Sequence, residues 1–195
     1  GSAQEFSLSL AGAPSTIDSV GGAVITIDVI VDASVGTHIL GADFGLSSGG
    51  NSMIENIIWT PATWVNLGGG DGYIGSGEYQ HVSAAQWMSC TRPPQLCWDP
   101  GEGSELGGVI GSFQVFLVAG SFGSLDLEVL ESVVAPSTVE VFEWDDSQEY
   151  GFLSDLWNNA SGNLTLTGTS INVVPAPSSL ALLGLGGLAA SRRRR

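Results

Sequence analysis

The sequence holds no lysine, and four of its arginines are its last four residues, leaving Arg92 as the one cation against 20 carboxylates over residues 1–191. Nucleic-acid affinity comes largely from Lys and Arg displacing counterions from phosphates. DNA, RNA and nucleotide partners are therefore disfavoured, and acidic lipids are repelled by the same surface. Cysteine is as scarce: Cys90 and Cys97 flank the segment TRPPQL. That spacing suits a small disulfide loop better than a redox CxxC pair or a four-ligand zinc site; two buried thiols are the alternative. Charged residues are 13% of the chain against 43% hydrophobic, which excludes disorder driven by charge. No amphipathic helix of ordinary length appears before residue 174, and no repeat of about 20–50 residues is present.

What the chain does have is glycine, 28 residues of 195, and short apolar runs between turn residues. In Ala23–Val31, Ile25, Ile27, Val29 and Val31 alternate with Thr26 and Asp28, the two-residue period of a half-buried strand. Phe6–Leu10, Ile39–Leu46, Ile54–Trp59, Ile110–Ala119, Leu125–Leu130, Val139–Trp144 and Leu164–Val173 read the same way. Two segments have room for a short helix, Val82–Met88 and Tyr150–Trp157. Strands without crossover helices predict an all-β fold, an antiparallel β-sandwich or jelly roll. Thr60 to Gly108 breaks the rhythm and predicts a long loop insertion at one end of the sandwich.

The composition changes after Val174. Pro175-Ala176-Pro177-Ser178-Ser179 stops the last strand, Leu180–Ala190 (LALLGLGGLAA) follows, and Arg192, Arg193, Arg194 and Arg195 close the chain. The predicted hydrophobic helix, with Leu180, Leu182, Leu183, Leu185 and Leu188, is about 17 Å long, short for a bilayer core of roughly 30 Å. Counted from Val174 to Ser191 the segment reaches a marginal crossing. The arginines then belong at the cytoplasmic face, with the acidic body outside. Residues 1–173 are expected as an extracellular domain and 174–195 as a sorting and anchor segment. The first residue is Gly rather than Met, as after removal of a signal peptide or at a cloning scar.

Proline motif, short Leu/Gly/Ala helix and arginine cluster together resemble the PEP-CTERM sorting tail. The resemblance covers about 22 residues and implies an export route rather than a fold. It implies processing by exosortase, a membrane cysteine transpeptidase, at Pro175, Ala176 and Pro177, with transient anchoring in the inner membrane by the C-terminal helix. The family's central Glu is Ala176 here, either a tolerated variant or one that weakens processing and leaves the protein anchored. The body, from Phe6–Leu10 through Ala23–Val31 and Ile39–Phe44 to Gly111–Ala119 and Leu125–Leu130, loosely resembles cohesin-type modules of surface proteins, with no diagnostic residue to fix the match.

Catalytic motifs find little support. Gly45-Leu46-Ser47-Ser48-Gly49 fits a nucleophile elbow, but a turn follows where a helix is needed. Gly70-Asp71-Gly72-Tyr73-Ile74-Gly75 fits G-x-G-x-x-G without a surrounding βαβ unit. His38 and His81 read as ordinary loop residues. Glu143, Asp145, Asp146 and Glu149, and separately Asp71 and Glu78, are candidate Ca²⁺ ligands, because carboxylates and loop carbonyls supply the oxygens that ion takes. Solvated acidic loops are the plainer reading. Trp64, Trp87 and Trp98 are candidate ligand-binding residues, able to stack on a sugar face if they share an exposed surface; burial is the commoner fate of tryptophan. Asn159-Ala160-Ser161 and Asn163-Leu164-Thr165 match the N-glycosylation pattern, which is common by chance.

The expectation is a non-enzymatic exported protein of the cell surface or extracellular matrix, structural or adhesive, contacting extracellular polysaccharide or surface proteins and self-assembling through edge strands. A carbohydrate-binding or cohesin-like protein-binding module is the alternative, and a glycan-active enzyme ranks below both.

Overall fold

Strand β3 (Ala23–Ala33) buries Ile25, Ile27, Val29 and Val31 and turns Val24, Thr26 and Asp32 to solvent, the alternation that one-sided packing writes into a sequence. The computed structural model describes residues 3–89, 97–147 and 153–175, and its strands form two facing sheets. In the smaller sheet β3 lies between β1 (Glu5–Ala11) and β9 (Gly108–Leu117), with β13 (Asn163–Thr167) and β5 (Ile54–Pro61) at the edges. In the larger sheet β4 (His38–Ser47) is central. On one side its first half pairs with β11 (Val139–Trp144) and its second half with β10 (Gly123–Glu131). On the other it pairs with β8 (Glu78–Ala85). Beyond these lie β12 (Leu153–Asn158) on β11, β14 (Thr169–Val174) on β10, and β2 (Thr16–Asp18) on β14. The short β6 (Leu67–Gly70) and β7 (Tyr73–Gly75) pair with β8.

The core fills the space between the sheets. Phe44 and Tyr79 from the larger sheet meet Phe113 and Trp59 from the smaller, with Phe113 ring centroids 4.8 Å from Trp59, 5.4 Å from Tyr79 and 6.1 Å from Phe44. Tilted and edge contacts of this kind add to the burial of large apolar surfaces. A second, smaller cluster of Cys97, Phe142 and Trp144 gathers Leu40, Met88 and Leu153.

Five expectations change. The antiparallel reading holds for most pairs, but β1 and β13 run parallel, as do β14 and β2. Both ends of the chain switch sheets, so strands distant in sequence meet at the edges without a crossover helix between consecutive strands. Leu164–Val173 is two strands, not one; the break is Gly168, where a Cβ would stand 2.2 Å from the Leu127 carbonyl oxygen. The predicted helix at Val82–Met88 is largely β8, because Tyr79, Val82 and Ala84 find apolar cover against β4 that an isolated helix would lack. The predicted helix at Tyr150–Trp157 is strand β12 from Leu153 onward, its first residues lying outside the described set. The stretch from Thr60 to Gly108 is therefore not an insertion at one end, since it supplies three strands of the larger sheet. The C-terminal hydrophobic segment, Leu180–Ala190, lies outside the described residues. Among those described, no helix is long and apolar enough to cross a membrane.

Candidate functional site

Two features outside the packed core carry chemistry: a polar constellation on the outer face of the larger sheet, and the end of β14, where the tail departs. His38 and His81, read as loop residues, both sit on strands, β4 and β8. Their adjacency places the His81 ring beside Asp43 of β4, with Nε2 2.7 Å from Asp43 Oδ1 and both side chains about 15% exposed, at 15% and 14%. Ser132 Oγ donates to the same Oδ1 at 2.6 Å, and the second ring nitrogen of His81 lies 3.6 Å from Asp71. The carboxylate is the centre of this group. Serine and histidine both address one oxygen of Asp43, whereas a nucleophile is activated by a base that takes its proton. Ser132 instead organises its own loop, its Oγ accepting from the backbone N–H groups of Val134 and Ala135 at 3.2 and 2.8 Å. The constellation latches the β10–β11 loop to β4.

Beside it lies a cavity of about 180 Å³ lined by Asp43, Ser83, Ala135, Ser137, Thr138 and Glu140. That is smaller than the roughly 300–1,000 Å³ of typical small-molecule sites. A wider cleft of about 440 Å³ opens across β8, between Trp59 and Tyr79 on one side and Asn66, Leu67 and the glycines of β6 on the other. Gly70 is required there by close approach, since a Cβ would meet the Tyr79 hydroxyl at 2.4 Å. Burial raises the Tyr79 hydroxyl above its ordinary pKa, and Asp71 adds to that effect.

The tryptophans do not share a face. Trp64 is buried, its indole N–H donating to the Val109 carbonyl at 3.0 Å, so it belongs to the core. Trp87 and Trp98 are exposed. Cys97 is buried and Cys90 lies outside the described residues. Among the described residues no group of three or more His, Cys, Asp or Glu side chains is placed to hold a metal ion. Glu143 accepts from Ser154 Oγ at 3.1 Å and Asp145 from the Ser147 N–H at 2.9 Å; Glu149 lies outside the described set. Asn159, of the first glycosylation pattern, has its Oδ1 committed to the backbone N–H groups of Thr138 and Val139 at 2.6 and 2.8 Å. Gln86, which nothing in the sequence marks, is buried and bridges the Ile39 carbonyl and the Gly101 N–H.

β14 ends with Val173 buried against β10 and Pro175 exposed. Ala176, Pro177, the leucines of 180–188 and Arg192–Arg195 lie outside the described residues. In sequence, residues 173–195 match the family model described as the PEP-CTERM protein-sorting motif. The chain carries that sorting motif. The matched stretch begins within the last two residues of β14 and continues through the exposed Pro175. The motif implies an exported protein with a C-terminal membrane anchor before processing. No curated protein matches the chain. Solved structures similar to it include two cohesin modules. One is the seventh ScaB type I cohesin from Pseudobacteroides cellulosolvens, 11% identical, with a TM-score of 0.43, covering 88% of this chain and 93% of that one. The other is the cohesin module of a Clostridium perfringens ATCC13124 family 33 glycoside hydrolase, 9% identical, with a TM-score of 0.41, covering 89% and 98%. At these values neither likeness transfers a ligand or an activity.

Proposed function

We propose that this is a non-catalytic, exported β-sandwich protein of the cell surface or extracellular matrix, held in the inner membrane by residues 174–195 and then released by an exosortase-type protease. The observation that carries the reading is the sorting motif at residues 173–195, which starts at the end of the final strand of the fold. The charge supports it, because 20 carboxylates and no lysine keep the body soluble and away from anionic surfaces. In this reading the sandwich is structural or adhesive, contacting extracellular polysaccharide or other surface proteins, and Cys90 pairs with Cys97 to close the loop between them. The intact mass of the released protein tests it: loss of the residues beyond about Pro177 is expected. Recovery of the chain from the cytoplasm with its arginines in place would overturn it.

A second reading is favoured by the cleft at Trp59. Its size, its aromatic wall and the flanking Asn66 and Ser83 are what a sugar ring needs, an apolar face and amide or hydroxyl partners. Glycan-array binding that is lost in Trp59→Ala, with the fold intact by circular dichroism, would support this reading over a purely structural role.

A further inference from the structure

The end of the sandwich from which the tail departs combines ordered loops with exposed apolar side chains. Three loops are tied together there. The Ser19 N–H donates to the Val174 carbonyl at 3.3 Å, the Gly120 N–H to the Ser19 carbonyl at 2.7 Å, and the Val118 N–H to the Met53 carbonyl at 2.9 Å. Asn51 Nδ2 donates to the Ser124 carbonyl at 3.3 Å, closing the set. The loops are ordered by the same strand ends that deliver β14, through the Gly123–Val173 pairing. They also expose apolar side chains, Phe122 at 73%, Val20 at 50% and Val118, and Val24 is exposed at the start of β3.

Residues 19–24, 47–53 and 118–124 contain no charged side chain, in a chain with 20 carboxylates. The nearest carboxylates are on the adjoining strands and bond to these segments: Asp18 accepts from the Val20 N–H at 2.9 Å, Glu78 from Ser47 Oγ at 2.6 Å and Asp126 from Ser124 Oγ at 3.3 Å. The opposite end, where β3 and β4 meet the loop carrying Trp98, bears Asp32, Asp99, Glu102, Glu105 and Glu143. Carboxylates facing an anionic leaflet are repelled within a Debye length of about 10 Å. An acidic body therefore approaches such a leaflet best with these charge-free loops foremost, the neighbouring carboxylates being held in hydrogen bonds to them.

We propose that this end is a membrane-facing surface, and that Phe122, Val20, Val24 and Val118 rest on the outer face of the bilayer holding residues 180–190. The proposal rests on the anchoring role of the tail. Six residue steps separate Val174 from Leu180, a reach of at most about 20 Å when fully extended. That tether keeps this end of the body close to the lipid surface for as long as the anchor is inserted. An exposed phenylalanine on a loop without charged side chains gains from partial burial at the headgroup boundary. Seating the body this way also holds the segment after Pro175 against the membrane surface, where a membrane protease works.

Photo-crosslinking tests the contact. The full chain carries Phe122→benzoylphenylalanine or, as an equally exposed aromatic control at the opposite end, Trp98→benzoylphenylalanine; both native residues are 73% exposed. Each protein is reconstituted through its C-terminal segment into vesicles of phosphatidylethanolamine and phosphatidylglycerol, floated on a density gradient and irradiated. Gain of one lipid mass on the peptide spanning position 122, with none at 98, is expected. Floating protein without a lipid adduct at 122, with equal adducts at both positions, or with 122 crosslinked to a second copy would overturn the membrane-facing surface and leave the anchor intact. Protein that does not float overturns the anchor itself and the inference built on it.

Discussion

The five-stranded sheet and the sheet around β4 bury their inner faces against each other by different means. The first keeps a two-residue alternation along β1 and β3, and none of its strands carries a buried polar side chain. The second, with its attached loops, holds every buried polar side chain found among the described residues: Ser19, Gln86, Ser104, Ser137 and Thr138. It also holds the Asp43–His81–Ser132 latch. One sheet is held by apolar burial, and the other adds a hydrogen-bonded frame that fixes its loops. Damage to the two should therefore differ in size and in dependence on pH.

The largest effect belongs to the apolar seam. Phe113 is fully buried and touches Trp59, Tyr79 and Phe44, so Phe113→Ala should cost about 3–5 kcal/mol in urea unfolding. A loss under about 1 kcal/mol would mean that the sheets are not joined through this residue. Next comes the frame. Asp43→Ala removes the acceptor of both His81 and Ser132 and should cost about 1–3 kcal/mol, with raised hydrogen exchange confined to residues 132–138. Equal exchange in the loop and in β3 would show that the latch is not local.

The same contrast explains what could be read in advance. Ala23–Val31 and Leu125–Leu130 were legible because burial on one face writes its period into the residues themselves. β8 was not, since the segment VSAAQWM is rich in good helix formers and its strand state is decided by β4, a partner some forty residues earlier. β6 and β7 carry glycine where a pattern of side chains would have shown. The Asp43–His81 pair spans 38 residues, and no local spacing announces it. Trp64 and Trp98 look alike in sequence; only tertiary packing buries one and exposes the other. The sorting tail was legible for the opposite reason, as its order of proline, leucine and arginine is a linear signal that needs no fold.

A smaller effect should appear in mild acid. His38 stacks on Phe142 at 5.6 Å, and its pKa is lowered from 6.5 by burial, with Glu105 and Asp146 opposing the shift. The unfolded chain therefore takes up the proton first. Its contribution to stability is complete above about pH 6.5 and is lost as pH falls through the depressed folded value. In His38→Gln the slope of stability against pH just below 6.5 should flatten, above the range in which carboxylates protonate. An unchanged slope there would show that His38 contributes nothing to the acid sensitivity.

The smallest expected effect is the most direct test of the contrast, because it falls on the outer face of the simpler sheet. Thr26 of β3 is exposed and lies opposite Gln114 of β9, with Ile58 of β5 next in the row. Its side chain appears in no latch and contributes nothing to the seam between the sheets. Thr26→Ala should therefore shift unfolding by no more than about 0.5 kcal/mol, the small loss coming from strand propensity. Proteolysis of the β9–β10 loop should be unchanged. A cost above about 1 kcal/mol, comparable to that of Asp43→Ala, would show the outer row of Thr26, Gln114 and Ile58 carrying load as a connected surface. The smaller sheet would then be held from both of its faces, and the division of labour between the two sheets would fail.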